Sequence, residues 1–185
     1  MFSAIFVFIS IDKYTRKLYN FVDCTRYLYN NGVKMKACSF FGHRQYDYNE
    51  YRERIKDIMV ELIEKYEVRQ FYSGGRGTFD GICSDIVGEL LAKYPHVKNT
   101  LVYSYIPQKD EYGLPKKYTD SVYLLENRVP QRLAILKTNE RMIDKSDFIL
   151  SGVRYSWGGA ATAQEYALRK KKTVISIFLK IERQG

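Results

Sequence analysis

A chain of 185 residues, 45% of them apolar, is the length of one domain and can bury a core, which excludes disordered, collagenous and disulfide-scaffold classes. Its net charge of +9 comes from basic residues scattered along the chain. The one tight basic run, residues 169–172, falls where a helix should end and cations meet the negative end of the helix dipole, so the charge suits an anionic small ligand better than a nucleic-acid patch.

Cys24, Cys38 and Cys83 form no Cys-x-x-Cys pair, and His43 and His96 stand alone. Ligand spacing for zinc is missing, so no metal is expected, and nothing else calls for a cofactor. Three unpaired thiols suit a reducing compartment, which reads as cytoplasmic. The seventeen tyrosines are explained by A/T-rich codons as well as by base stacking.

Residues 1–10 are apolar, but a membrane span needs about 20 such residues, and a secretory signal's basic start and small-residue cleavage site are missing. Residues 12–31 are Tyr-rich and read as a helix broken by Asn30, Asn31 and Gly32. Gly32-Val33-Lys34-Met35 is compatible with the codons GGA-GTG-AAA-ATG, a ribosome-binding sequence just ahead of a start codon. One expectation is therefore that translation begins at Met35 and that 1–34 is a non-native extension. The alternative is a genuine N-terminal helix packed on the domain.

From Met35 the pattern alternates between short apolar runs and helical periodicity, the mark of βα units. Residues 37–41 read as a buried strand ending in Gly42. Residues 49–66 carry Ile55, Ile58, Met59, Leu62, Ile63 and Tyr66 at helical spacing. A second strand at 70–73 runs into Gly74-Gly75. A second helix follows, marked by Phe79, Ile82, Cys83, Ile86, Val87, Leu90 and Leu91, and ends near Pro95. Residues 100–106 are a third strand. The stretch 107–130 has little periodicity and reads as a lid or ligand-binding loop. A helix over 131–145, a strand at 148–150, a helix opened by Gly158-Gly159-Ala160 and a last strand at 173–178 complete the pattern. The expected fold is α/β, a Rossmann-like three-layer sandwich with a mainly parallel central sheet over 35–178 and a tail at 179–185.

Ligands of open parallel sheets bind beyond the carboxyl ends of the strands. Three glycine-bearing turns fall there: Gly42-His43-Arg44, the run Ser73-Gly74-Gly75-Arg76-Gly77-Thr78 with Asp80, and Gly158-Gly159-Ala160. Glycine admits close approach of a phosphate, and a helix N-terminus behind it offers unpaired N–H groups and a positive dipole end. Asp80 is set either to contact ribose hydroxyls or to cap its helix. Arg44 and Arg76 are phosphate candidates, against the alternative of solvated surface. His43 is either a general acid–base group or a structural hydrogen-bonding residue.

These motifs occur in order with Cys38-Ser39-Phe40-Phe41-Gly42-His43-Arg44, Tyr94-Pro95-His96-Val97, Pro130-Gln131-Arg132-Leu133-Ala134-Ile135 and Trp157-Gly158-Gly159-Ala160. Together they resemble the short bacterial proteins of the SLOG superfamily, relatives of DNA-processing protein A and the lonely-guy-type domains. The resemblance covers nearly all of 35–177. It implies a Rossmann-like fold with a pocket for nucleotides or nucleotide-derived signals. Family members often carry Arg-Asn followed by Trp-Met where this chain has Thr138-Asn139 and Arg141-Met142, so only Asn139 is carried over. Lonely-guy phosphoribohydrolases carry Pro-Gly-Gly-x-Gly-Thr-x-x-Glu. Here Ser73 replaces the proline and Gly81 the glutamate, leaving Asp80 or Glu126 as substitute catalytic acids.

The expected partner is a nucleotide-like small molecule, bound or sensed, with no membrane involvement and homo-oligomerisation left open. The alternatives are cleavage of an N-glycosidic bond in a nucleoside phosphate and binding of single-stranded DNA.

Overall fold

Lys36–Gly42 is buried on five successive residues, Ala37 to Phe41, because its two faces are both covered, a pattern peculiar to central strands of parallel sheets. Phe40 packs into one apolar layer and its neighbour Phe41 into the opposite one. The computed structural model describes residues 10–11, 18–19, 35–106, 113–125 and 129–178. They fall into two units, residues 1–35 and 36–185.

In the first unit β1 (Ser10–Ile11) pairs antiparallel with β2 (Leu18–Tyr19). Leu18 and Tyr19 are thus extended where the sequence pattern suggested helix; the rest of that expected helix lies outside the described residues.

The second unit is built on β3 (Lys36–Gly42), α1 (Arg52–Glu64), β4 (Val68–Ser73), α2 (Thr78–Leu90), β5 (Lys98–Tyr103), β6 (Asp120–Tyr123), α3 (Ala134–Lys145), β7 (Phe148–Gly152), α4 (Gly159–Arg169) and β8 (Thr173–Ser176). Its six strands lie in the order β6-β5-β4-β3-β7-β8, every pairing parallel. The fold is an α/β Rossmann-like sandwich.

Each helix forms where an apolar stripe recurs at helical spacing. On α1 the stripe is Ile55, Ile58, Met59, Leu62 and Ile63, and on α2 it is Phe79, Cys83, Ile86, Val87 and Leu90. These two helices share one core layer with Phe40, Phe71, Phe148 and Leu150. The other layer joins Met142 and Ile143 of α3 and Ala163 and Ala167 of α4 to Phe41, Val102 and Ile149. The alanines let α4 lie close against the sheet.

The stretch expected to be a loop over 107–130 contains β6, an edge strand paired with β5 from Thr100↔Asp120 to Tyr103↔Tyr123. Asn99 pins the approach to it, its Nδ2 donating to the carbonyls of Ser84 at 3.0 Å and Lys117 at 2.7 Å. Its four residues are mostly exposed, so no apolar run announces the strand. No helix among the described residues is long and apolar enough to cross a membrane.

The chain runs outward in one direction from β3 through β4, β5 and β6, then returns to place β7 on the other side of β3. The crevice opened by such a reversal lies at the carboxyl ends of the two diverging strands, here Gly42 and Gly152.

Candidate functional site

The switch point is closed from below by one side chain. Phe79, in the first turn of α2, is fully buried across the ends of β3 and β7. A Cβ on Gly42 would lie 2.4 Å from Phe79 Cγ, and one on Gly152 2.6 Å from its Cδ2. Both strands therefore end in glycine because the ring occupies the space. Tyr48, also fully buried, ties the two loops together: its hydroxyl donates to the Gly152 carbonyl at 2.7 Å and accepts from the His43 amide at 2.8 Å.

Above this floor lies a cavity of about 260 Å³. Its wall includes Gly42, His43 and Arg44 after β3, Gly74, Arg76 and Asp80 around the β4–α2 turn, and Trp157, Gly158, Gly159 and Ala160 before α4. Ser104, Ile135, Asn139 and Met142 close the remaining side.

The glycine-rich turn spends much of its own hydrogen-bonding capacity internally. The Gly75 amide donates to Ser73 Oγ at 3.2 Å, the Arg76 amide to Asp80 Oδ2 at 3.1 Å and the Thr78 amide to the Arg44 carbonyl at 3.1 Å. Gly77 makes this last contact feasible: its φ is 140°, and a Cβ there would lie 2.9 Å from Arg44 Cα. The Thr78 hydroxyl in turn donates to the Tyr46 carbonyl at 2.7 Å.

The start of α4 differs. Gly158 precedes it with a φ of 90°; no side chain caps it, as at α2, but no carbonyl from another loop reaches its first amides among the bonds of the described residues. Helix geometry leaves the amides of its first turn without intrahelical partners, and Gly159 and Ala160 line the cavity. The positive end of the α4 dipole adds to this anion-binding character. Arg44 and Arg76 complete it. The Arg76 guanidinium lies 5.1 Å from the centroid of the Tyr105 ring, and neither arginine is held in an ion pair among the described residues.

Asp80 is the one carboxylate in the wall among the described residues. Its Oδ2 is taken by the Arg76 amide, while Oδ1 is covered and has no hydrogen-bond donor. Burial pushes its pKa up to about 6, against the lowering pull of the backbone donors and of Arg76 and Arg44.

His43 is fixed by its neighbours. Its Nε2 accepts from the amides of Arg154 and Tyr155, each at 3.0 Å. Two N–H donors on one ring nitrogen demand the neutral tautomer protonated on Nδ1. Burial lowers its pKa in the same sense. Nε2 is unavailable as a base, and the ring's role in the resting protein is to hold the loop after β7. That loop carries Tyr155 and Trp157, whose rings stack with centroids 5.6 Å apart and planes inclined by 15°.

No protein-family model matches the chain, and no curated protein is similar to it in sequence. Solved structures are similar in shape. DNA processing protein A from Streptococcus pneumoniae superposes with a TM-score of 0.56 at 12% identity, over 78% of this chain and 50% of that one. DNA processing protein A from Helicobacter pylori, described for its single-stranded DNA binding mode, gives 0.55 at 14% identity over 78% of this chain and 66% of that one. The chain shares the Rossmann-like fold of these proteins. It spans half to two-thirds of these DNA processing proteins, and the likeness is one of fold.

Within this Rossmann-like framework, ten residues singled out from sequence meet at the cavity: Gly42, His43, Arg44, Gly74, Arg76, Asp80, Asn139, Gly158, Gly159 and Ala160. Ser73, Gly75, Gly77 and Thr78 instead shape the turn behind it. Gly81, at the position of the phosphoribohydrolase glutamate, lines a separate shallow depression with Gln45, Asp47 and Asp85. Glu126 lies outside the described residues. Sequence reasoning did not single out Ser104, Ile135, Met142 or the ring of Trp157. Ser104 follows β5 and carries no motif, while Ile135 and Met142 of α3 and Trp157 stood in strings of the family resemblance without being assigned to the site.

Proposed function

We propose that this domain binds a nucleotide or nucleotide-derived ligand in the switch-point cavity. The observation that carries the reading is convergence: the start of α4, which no side chain caps, two arginines that form no ion pair among the described residues, and the buried carboxylate of Asp80 all line one cavity. A phosphate suits the first two, and a ribose hydroxyl suits the third. Because the amides of Gly75, Arg76 and Thr78 are already engaged, the phosphate is assigned to Gly159 and Ala160 rather than to the β4–α2 turn.

A thermal-shift titration of the protein with nucleoside mono-, di- and triphosphates, cyclic nucleotides and NAD derivatives tests this. A ligand present at 100 times its dissociation constant stabilises the fold by roughly 2.7 kcal/mol. Gly159→Glu should abolish the shift while leaving the fold intact. A Cβ at Gly159 meets nothing within 4 Å, and an acidic residue in a first helical turn is favourable. A full shift in the variant, or none in the parent with any of these compounds, would count against the reading.

Two further activities have support. Asp80, with a pKa near 6, has the character of a carboxyl acid catalyst, favouring cleavage of an N-glycosidic bond; release of free base, lost in Asp80→Asn, is its signature. Binding of single-stranded DNA is named for the Helicobacter pylori protein; here it would show as oligonucleotide affinity falling steeply with salt.

A further inference from the structure

Trp157 is the only tryptophan of the chain, and it is 69% exposed. Exposure of so large an aromatic costs free energy unless a partner covers it. Its position is also held. One side is stacked on Tyr155, and the His43 ring lies 4.9 Å from Tyr155 and 6.1 Å from Trp157, centroid to centroid. The two amide bonds onto His43 Nε2 fix the loop that presents both rings. The result is a preformed aromatic shelf whose outer ring borders the cavity immediately before the α4 N-terminus.

Size adds a second constraint. Pockets that enclose a small ligand hold about 300–1,000 Å³, whereas this cavity holds about 260 Å³. It takes a sugar and a phosphate, and the remainder of a nucleotide must lie at the rim. The rim beside Gly158 is the Trp157 ring.

We propose that the open face of Trp157 stacks a planar base, so that the ligand of this cavity is a base-bearing nucleotide rather than a bare sugar phosphate. The proposal rests on the reading of the cavity as a nucleotide site. A base on Trp157, a ribose hydroxyl beside the Asp80 carboxylate and a phosphate at Gly159–Ala160 with Arg44 and Arg76 would engage each of the groups that line the cavity described above. A base lying on this shelf needs no edge-specific hydrogen bonds, so stacking by itself discriminates little between purine and pyrimidine.

The test uses the single tryptophan as its reporter. The full-length protein is titrated with AMP, GMP, CMP, UMP and ribose 5-phosphate, reading Trp157 emission under red-edge excitation that avoids the seventeen tyrosines, with calorimetry in parallel. Nucleotides should quench the emission saturably and bind roughly tenfold or more tightly than ribose 5-phosphate, the order expected for one aromatic stack. Trp157→Ala should reduce nucleotide affinity to that of ribose 5-phosphate and leave the latter unchanged, while Trp157→Phe should retain most of the binding. Short oligothymidylate in the same assay distinguishes a free nucleotide from one within a strand by the steeper salt dependence of the strand. Equal calorimetric affinity for AMP and ribose 5-phosphate, or unweakened AMP binding by Trp157→Ala, overturns the stacking while leaving the cavity reading in place. Absence of calorimetric binding by nucleotides, sugar phosphate and oligothymidylate alike overturns both.

Discussion

Asp80 sets the pH behaviour of the empty site. Its carboxyl titrates at 3.8 when unfolded and at about 6 when folded, so the native state binds the extra proton between those values. Stability therefore falls as pH rises through this window. The penalty is complete above pH 6 and amounts to roughly 3 kcal/mol. Asp80→Asn keeps an oxygen acceptor for the Arg76 amide and removes the charge. Denaturant unfolding of the ligand-free protein should show the variant to be the more stable at pH 7.5, with the gap closing towards pH 4. A variant less stable at pH 7.5 would mean that the carboxylate is better solvated or paired than its covered Oδ1 implies.

At the scale of elements, Phe79 welds α2 to the ends of β3 and β7. Gly152→Ala should cost about 1–3 kcal/mol, the usual penalty of overpacking, because its methyl would meet Phe79 at 2.6 Å and Tyr48 Cε1 at 2.9 Å. Urea unfolding measures it, and an unchanged midpoint would show that the ring has room to move. Most elements of this frame were legible in the sequence. The stripe from Ile55 to Ile63 on α1 and the apolar runs of β3 and β7 carry periods that burial enforces. The missed strand, β6, is an edge held by backbone pairing and by Asn99 rather than by apolar side chains. The three glycine turns were visible as neighbours at one edge of the sheet. The internal bonding of the β4–α2 turn was not, because it depends on Ser73, Asp80 and the Arg44 carbonyl folding back onto that turn. The anchoring of His43 by the amides of Arg154 and Tyr155 joins residues more than a hundred positions apart, and local sequence carries no trace of it.

For the molecule as a whole, the chain divides into two units at Met35, and the described residues of both core layers belong to the second. We propose that residues 35–185 carry the fold and its cooperativity unaided. Removal of 1–34 should leave a single unfolding transition at an unchanged midpoint and the same nucleotide affinity. A broadened transition or lost binding would assign the first unit a part in the fold or the site.

The fit of Phe79 between two glycines also constrains how this sequence can drift. Alanine at position 42 or 152 is obstructed while the ring is present, and a smaller residue at 79 leaves a void while the glycines remain. The effects of these substitutions are coupled and do not add. Descendants of this chain have a preferred order of change, in which position 79 shrinks before either strand end grows. The floor of the site is thus inherited as a block, leaving the rim, where Arg44, Arg76 and Trp157 stand, as the part free to acquire a different ligand.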